Sequence, residues 1–149
     1  MICAAEDVSN ADPQALVVAT AASQAVMQLG MPEARIILAQ AATYVACAPK
    51  SNSAIMAIDG AMEFVKAHPD YKIPSYLQDA HYKGAAKLGH GIGYKYAHDY
   101  KNHYARQQYL PDACKDIHFY NLSEQGYEKR LKEHLTRIHR ESEEDNDGQ

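Results

Sequence analysis

The chain has 149 residues, which is enough for one domain with a hydrophobic core. Its three cysteines lie far apart and show no CxxC spacing, so neither a disulfide framework nor a zinc site is indicated. The formal charge of −4 is unevenly distributed: residues 1–70 carry −4, residues 71–140 carry +5 together with seven histidines, and residues 141–149 carry −5. The longest apolar stretch is interrupted by Gln40 and ends at Pro49, so we expect no membrane span.

The first predicted helix follows Asp12, a favourable N-cap, with Pro13 at the first helical position, where a missing N–H costs nothing. It runs to about Leu29, and Gly30 is placed to end it. Helical spacing predicts that its core-facing stripe consists of Leu16, Ala19, Val26 and Leu29.

Two more helices are predicted before residue 68. Helix 2 opens at Pro32 and runs to about Ala48, and it is apolar nearly all round, which is typical of the centre of a domain or of a subunit contact. Helix 3 runs from about Ser53 to Ala67, capped by Ser51 or Ser53. Gly60 inside it costs about 1 kcal/mol relative to alanine, so we expect a close helix–helix approach there.

The chain becomes irregular and rich in tyrosine after Pro69. A short helix is predicted within residues 78–88, ended by Gly89, and residues 92–122 show no sustained period. Residues 94–96 and 118–120 have the composition of short strands, so a minor β element stays an alternative. Ser123 caps a last helix to about Arg140, and the acidic residues 141–149 are expected to be a disordered tail. The predicted fold class is all-α.

Three kinds of reactive site are weighed and set aside. Lys50-Ser51 lacks the glycine-rich loop that wraps phosphate, so we expect a turn with a serine cap there. His134 and His139 are five residues apart and cannot share a metal on one helix face. No cysteine or serine has a recognised nucleophile context. We therefore expect no catalytic, cofactor-binding or metal-binding residue in this chain.

The basic block interleaves lysine and arginine with tyrosine, the ingredients of single-stranded DNA binding. The basic residues that would carry it include Lys95, Lys101 and Arg106. The other interpretation is that the tyrosines anchor an irregular segment, with Tyr109 and Leu110 buried against the helices. We favour the second interpretation because acidic residues are interleaved.

Three motifs together resemble one protein family. The first lies in residues 6–13, the second in residues 48–53, and the third in residues 96–112, and the similarity covers residues 3–140. In combination they are similar to the C-terminal part of the RarA/MgsA group of AAA+ ATPases, replication-associated recombination proteins that include the Werner helicase-interacting protein. The matching positions, which we interpret as structural or interface residues, are Glu6, Asp7, Asp12, Pro13, Pro49, Lys50, Ser51, Asn52, His98, Asp99, Gln107, Gln108, Tyr109, Leu110 and Pro111.

The resemblance implies a helical domain like the oligomerising collar of clamp loaders, which builds a homotetramer in this family. The chain departs from the family pattern at Ala97, where proline is usual, and at residues 101–103, where Pro-Gly-Gly is usual. Both departures concern the turn geometry around His98.

The resemblance also implies a division of the protein. Residues 1–11 are expected to lead in from an ATPase and lid region, residues 12–140 to form the oligomerisation domain, and the chain to be a fragment with Met1 added for expression. ATP and magnesium would act only in the full-length protein, a DNA-dependent ATPase of replication-fork maintenance, recombination and repair. Expected partners are other copies of the chain, its own ATPase domain, single-stranded-DNA-binding protein and DNA, in the cytoplasm or at a bacterial nucleoid. A direct single-stranded-DNA-binding module is the alternative function.

Overall fold

A computed structural model describes residues 1–79 and 81–144, and the regular elements of this part of the chain are all helical, which confirms the all-α prediction. The long helices are α1 (Gln14–Leu29), α2 (Ala34–Cys47), α3 (Ser53–Ala67) and α4 (Gly126–Glu144). A π-helical turn (Ala4–Val8) and a 3-10 turn (Ser9–Ala11) precede α1. The described residues between α3 and α4 form short 3-10 turns and irregular segments.

The chain divides into two compact units. The first, which we call the helical unit, comprises residues 1–63 and 119–134. The second, the irregular unit, comprises the described residues within 64–118 and 135–144.

Polar caps and a glycine set the ends of the first helices. The Asp12 carboxylate accepts a hydrogen bond from the Gln14 amide at 3.1 Å, so Asp12 caps α1 as predicted. Gly30 adopts φ +70° at the end of α1, and its amide bonds to Val26 O. Helix α2 begins at Ala34, two residues later than predicted, because residues 31–33 form a turn. The predicted bounds of helix 3 are confirmed, and Ser51 Oγ accepts from the Ser53 amide at 3.2 Å.

Small side chains fill the centre of the helical unit. Ala4, Val8 and Ala15 form its buried cluster, on which Val45 and Ala48 also pack. The predicted stripe of α1 is therefore partly wrong: Leu16 and Leu29 are exposed, while the buried residues of this helix are Ala15 and Ala22. Helix α2 is not a buried central helix either, since only Ala34 is fully buried along it.

The segment between α3 and α4 corrects three further expectations. The helix predicted within residues 78–88 is reduced to a 3-10 turn, Ala85–Leu88. The minor β element is absent from the described residues, because residues 94–96 and 118–120 pair with no neighbouring strand. Tyr109 is 55% exposed rather than buried, and Leu110 is half-buried. The described main chain here is held by backbone hydrogen bonds within turns and by side-chain hydrogen bonds.

The last helix begins at Gly126, three residues after Ser123, and Ser123 Oγ accepts from the Gln125 amide at 3.2 Å. Gly126 has φ +50°, and a Cβ added there would collide with Ala11 O and lie 2.7 Å from Pro49 Cγ. The helix continues through Glu144, past the predicted end at Arg140. The first four residues of the expected tail are thus helical, and residues 145–149 lie outside the described residues.

Candidate functional site

The first two sequence motifs meet in the helical unit. The Ser51 amide donates to Asp7 O at 2.8 Å, which joins the π-helical turn to the connection between α2 and α3. Tyr44 OH donates to the Asp12 carboxylate at 2.9 Å. Lys50 Nζ donates to carbonyl oxygens at the end of α2, with Val45 O at 2.8 Å, so it caps that helix rather than reaching a carboxylate or phosphate. These motif residues position helix ends.

A fully buried carboxylate lies beside them, and sequence reasoning missed it. Glu128 in the first turn of α4 accepts hydrogen bonds from Ser51 Oγ at 2.8 Å, Tyr120 OH at 2.5 Å and the Ser123 amide at 2.9 Å. Tyr120 OH in turn accepts from Asn10 Nδ2 at 2.9 Å. The cluster therefore ties α4 to three other segments of the helical unit. The sequence offered one weak indication of this cluster, which is that Glu128 is an acidic residue near the N-terminus of a predicted helix.

The Glu128 cluster favours the ionised carboxylate. Burial acts to raise the pKa of Glu128, but hydrogen bonds from Ser123, Tyr120 and Ser51 together hold the pKa below its ordinary value. Burial and the Glu128 carboxylate raise the pKa of Tyr120, so this phenol stays a donor. The cluster is a neutral set of donors around one charge, which is suited to fixing structure.

Large apolar side chains of the helical unit point to solvent. Ile36 on α2 is 67% exposed, and Ile58 and Met62 on α3 are 57% and 51% exposed. An apolar groove of about 650 Å³ separates the π-helical turn, α1 and α2. We call it the α1–α2 groove, and it is lined by Met1, Cys3, Ala4, Ala19, Ala22, Ser23, Val26, Met27, Leu38, Ala41, Ala42, Val45, Ala46 and Lys50. Exposed apolar surface of this kind marks interaction sites.

The third motif lies in the irregular unit and braces its backbone. Gln108 Nε2 donates to Leu110 O and to the Asp112 carboxylate, both at 2.8 Å, and Tyr76 OH donates to Gln108 O. Gln107 Nε2 donates to Lys95 O at 3.4 Å. His98 packs between the rings of Tyr96 and His103, at centroid distances of 5.1 and 4.9 Å.

A second surface of interest includes residues of this motif segment and of α4. We call it the Tyr–basic patch, a small cavity of about 80 Å³ lined by Lys95, Tyr100, Lys101, Asn102, Tyr104, Arg106, Ile138 and Ser142. Ile138 is buried beneath it, and the Tyr104 ring lies 5.2 Å from that of His139 on α4. Lys95 Nζ donates to Arg106 O at 3.2 Å. The patch brings together the three basic residues singled out from the sequence.

Two carboxylates from the end of α4 already contact this patch. Asn102 Nδ2 donates to Glu141 Oε2 at 2.8 Å, and Arg106 Nη1 pairs with Glu143 Oε1 at 3.1 Å. The hydrogen bond from Asn102 lowers the pKa of Glu141, and Lys101, Arg137 and Arg140 act in the same direction. The end of α4 therefore lies in a positive field.

The turn that presents Asn102 uses left-handed backbone. Asn102 and His103 have φ of +56° and +53°, at the two positions where the family pattern has glycines. Asparagine and histidine enter this region more easily than other side chains do. The departure from the family pattern thus leaves the turn in the conformation that glycine would favour.

Other kinds of site find no support in the described ranges 1–79 and 81–144. No three His, Cys, Asp or Glu side chains there gather into a group that could hold a metal. No helix in the same ranges is long and apolar enough to cross a membrane.

Comparison with known proteins decides the family. A model of the "MgsA AAA+ ATPase C terminal" family matches residues 1–139. The chain therefore belongs to this family. It is 46% identical over 134 residues to replication-associated recombination protein A of Bacillus subtilis, covering 89% of this chain and 32% of that protein. The corresponding protein of Escherichia coli K12 is 39% identical over 133 residues, with 89% and 30% coverage.

A third relative is an uncharacterised AAA domain-containing protein of Mycobacterium tuberculosis, 44% identical over 138 residues, which cover 93% of this chain and 30% of that protein. The chain thus spans about a third of the length of these curated relatives. The family assignment confirms the resemblance drawn from the three motifs.

Proposed function

We propose that this chain is the oligomerisation domain, forming tetramers, of an AAA+ ATPase that acts in replication-fork maintenance, recombination and repair. The observation that carries the proposal is the inversion of large and small apolar side chains in the helical unit. Alanine and valine fill its centre, while Ile36, Ile58 and Met62 face solvent.

The energetics of burial support an interface. Burying one Leu, Ile or Met side chain contributes about 1.5–3 kcal/mol, far more than alanine does. Val8 and Ile138 are the large aliphatic side chains that count as buried in the described part of the chain. A second copy seated on α2 and α3 would supply the missing burial, and permanent interfaces are apolar in this way. The alanines that line the α1–α2 groove allow close approach of a partner helix.

Light scattering at micromolar concentration tests the proposal. We expect a mass near four times 16.6 kDa. The double variant Ile58→Glu/Met62→Glu should shift the mass toward the monomer, because two carboxylates cannot be buried at an apolar interface. Lys66→Glu, an exposed change of charge on the same helix, is the control and should keep the wild-type mass. A wild-type monomer at every concentration would refute the proposal.

The second candidate function is direct binding of single-stranded DNA by the irregular unit, and one observation favours it. The tyrosines that we expected to anchor the segment are accessible: Tyr94, Tyr96, Tyr100 and Tyr109 are all exposed. Exposed rings beside Lys95, Lys101 and Arg106 suit base stacking, worth about 1–3 kcal/mol per base, with phosphate attraction.

Fluorescence anisotropy with a labelled oligothymidylate at several salt concentrations tests the second candidate. We expect weak binding near physiological salt that strengthens as salt falls. The variant Lys101→Ala/Arg106→Ala should weaken binding at every salt concentration. Lys66→Ala, outside the Tyr–basic patch, should leave it unchanged.

The wider assignment follows from the family and is part of the proposal. ATP and magnesium would act in an ATPase part of the protein that this chain does not include, and this chain would itself have no ATPase activity. Partners would be further copies of the chain, its own ATPase domain, DNA and single-stranded-DNA-binding protein. The protein would act in the cytoplasm and, in a bacterium, at the nucleoid.

A further inference from the structure

The end of α4 contacts the Tyr–basic patch through two carboxylates. We propose that Glu141 and Glu143 are an internal competitor, occupying the positions at which single-stranded DNA phosphates would meet Asn102 and Arg106. The inference rests on the second candidate function and specifies how that surface is regulated.

The donors contacted by the two carboxylates are those that recognise phosphate. Asn102 Nδ2 is 2.8 Å from Glu141 Oε2, and Arg106 Nη1 is 3.1 Å from Glu143 Oε1. Arginine guanidinium and asparagine amide groups bind phosphate oxygens and carboxylates with similar geometry. Both glutamates belong to the last turns of α4, so the helix presents them in fixed register.

These contacts are weak enough to be exchanged. The side chains of Arg106 and Glu143 are each 58% exposed, and exposed ion pairs contribute little to stability. A single strand would replace them with several phosphates at once and would add stacking on Tyr100. Competition of this kind lowers the affinity for single-stranded DNA but does not block binding to the Tyr–basic patch.

The groups around Glu141 favour negative charge at this position. The hydrogen bond from Asn102 is the main cause that lowers the pKa of this carboxyl, and Lys101, Arg137 and Arg140, which would also attract phosphate, act in the same direction. Removing the two negative charges while keeping side-chain size should therefore expose the full positive field to DNA.

The experiment compares the wild-type chain with Glu141→Gln/Glu143→Gln in the anisotropy titration with labelled oligothymidylate. We expect the variant to bind about three- to tenfold more tightly, the range for losing two exposed competing contacts. Its affinity should also depend more steeply on salt, because more counterions are released when no internal carboxylate is displaced. Adding Lys101→Ala/Arg106→Ala to this variant should cancel the gain.

The control is Glu33→Gln/Glu124→Gln, which changes net charge equally but lies in the helical unit, where Glu124 pairs with Lys132 in an exposed contact. Equal gains in the variant and the control would refute the competitor and leave only a net-charge effect. If the wild-type chain binds DNA and Glu141→Gln/Glu143→Gln binds it no more tightly, the competitor role of the two glutamates is refuted. The second candidate function, binding of single-stranded DNA, would still hold. No binding by any variant at low salt would refute the second candidate function itself, and the inference with it.

Discussion

Glu128 lies where four segments of the helical unit meet, and its carboxylate accepts hydrogen bonds directly from two of the other three. Ser51 comes from the connection before α3, and Tyr120 and Ser123 come from the segment before α4. Asn10 joins through Tyr120 OH. A buried charge surrounded by neutral donors stabilises the fold only while every donor is in place.

Removing this carboxylate should therefore destabilise the helical unit. We expect Glu128→Ala to lower the free energy of unfolding by about 2–4 kcal/mol at pH 7. The buried Ser51 hydroxyl would lose its acceptor, and so would two partly exposed donors, Tyr120 OH and the Ser123 amide. Glu124→Ala, four residues before it in the sequence and in an exposed ion pair with Lys132, should cost much less. Urea denaturation at pH 7 measures both.

The pH dependence gives a second readout of the same variant. The pKa of Glu128 is lower in the folded chain, so its contribution is complete above the unfolded pKa of about 4.3 and is lost as pH falls through the folded pKa. The difference in free energy of unfolding between the wild type and Glu128→Ala should thus become smaller below about pH 4.3. A difference that is constant down to strongly acidic pH would show that the carboxylate's charge plays no part.

Individual residues also show where sequence reasoning stops. Asp12 and Ser51 were predictable as caps, because capping is local and needs only the right side chain before a helix. Glu128 was not predictable, because its partners come from residues up to 77 positions away and a fully buried glutamate is rare. Tyr109 was predicted to be buried because an irregular segment needs side chains that fix it to the rest of the fold. In the structure, Gln107 and Gln108 fix this segment by donating hydrogen bonds to backbone carbonyls.

At the scale of helices, two glycines give opposite predictions. A Cβ added at Gly60 in α3 would meet only Phe119 Cδ1 at 3.8 Å, so the close helix–helix approach expected there was wrong. A Cβ at Gly126 would collide with Ala11 O, and φ is +50°. We expect Gly60→Ala to stabilise the chain by about 0.5–1 kcal/mol, from helix propensity alone. Gly126→Ala should lower the melting temperature, because the α4 N-terminus must move away from Ala11.

Each variant is the control for the other, since both make the same chemical change within a helix. Thermal unfolding followed by circular dichroism measures the two shifts. Gly60→Ala melting below wild type would mean that Phe119 cannot tolerate the methyl group. Gly126→Ala melting at the wild-type temperature would contradict the tight approach of α4 to Ala11.

The helices also show which part of the fold periodicity can supply. Proline, glycine and serine marked the ends of α1 and α3 to within two residues, because these signals act on the local backbone. The inward face of α1 was predicted wrongly, because this helix is apolar on more than one side. The spacing of apolar residues does not distinguish a face that packs on the chain's own core from a face that is exposed in the single chain. Size misled as well: Ala15 is buried and Leu16 beside it is exposed.

At the scale of the whole molecule, the helical unit leaves apolar surface exposed. This surface comprises the α1–α2 groove and the exposed residues of α3, while the centre of the unit is built from small side chains. If copies of the chain cover this surface, folding and association are one equilibrium, because the burial that stabilises the fold is shared between copies.

Thermal unfolding at different protein concentrations tests that coupling. We expect the melting temperature to rise with concentration over about a hundredfold range, since unfolding would then release several chains from each oligomer. The variant Ile58→Glu/Met62→Glu should melt lower and lose the concentration dependence, because its exposed apolar side chains no longer lie in an interface. Lys66→Glu should keep the wild-type slope. A wild-type melting temperature that does not change with concentration would mean that each chain is stable alone, and the exposed side chains of α2 and α3 would then need a different partner.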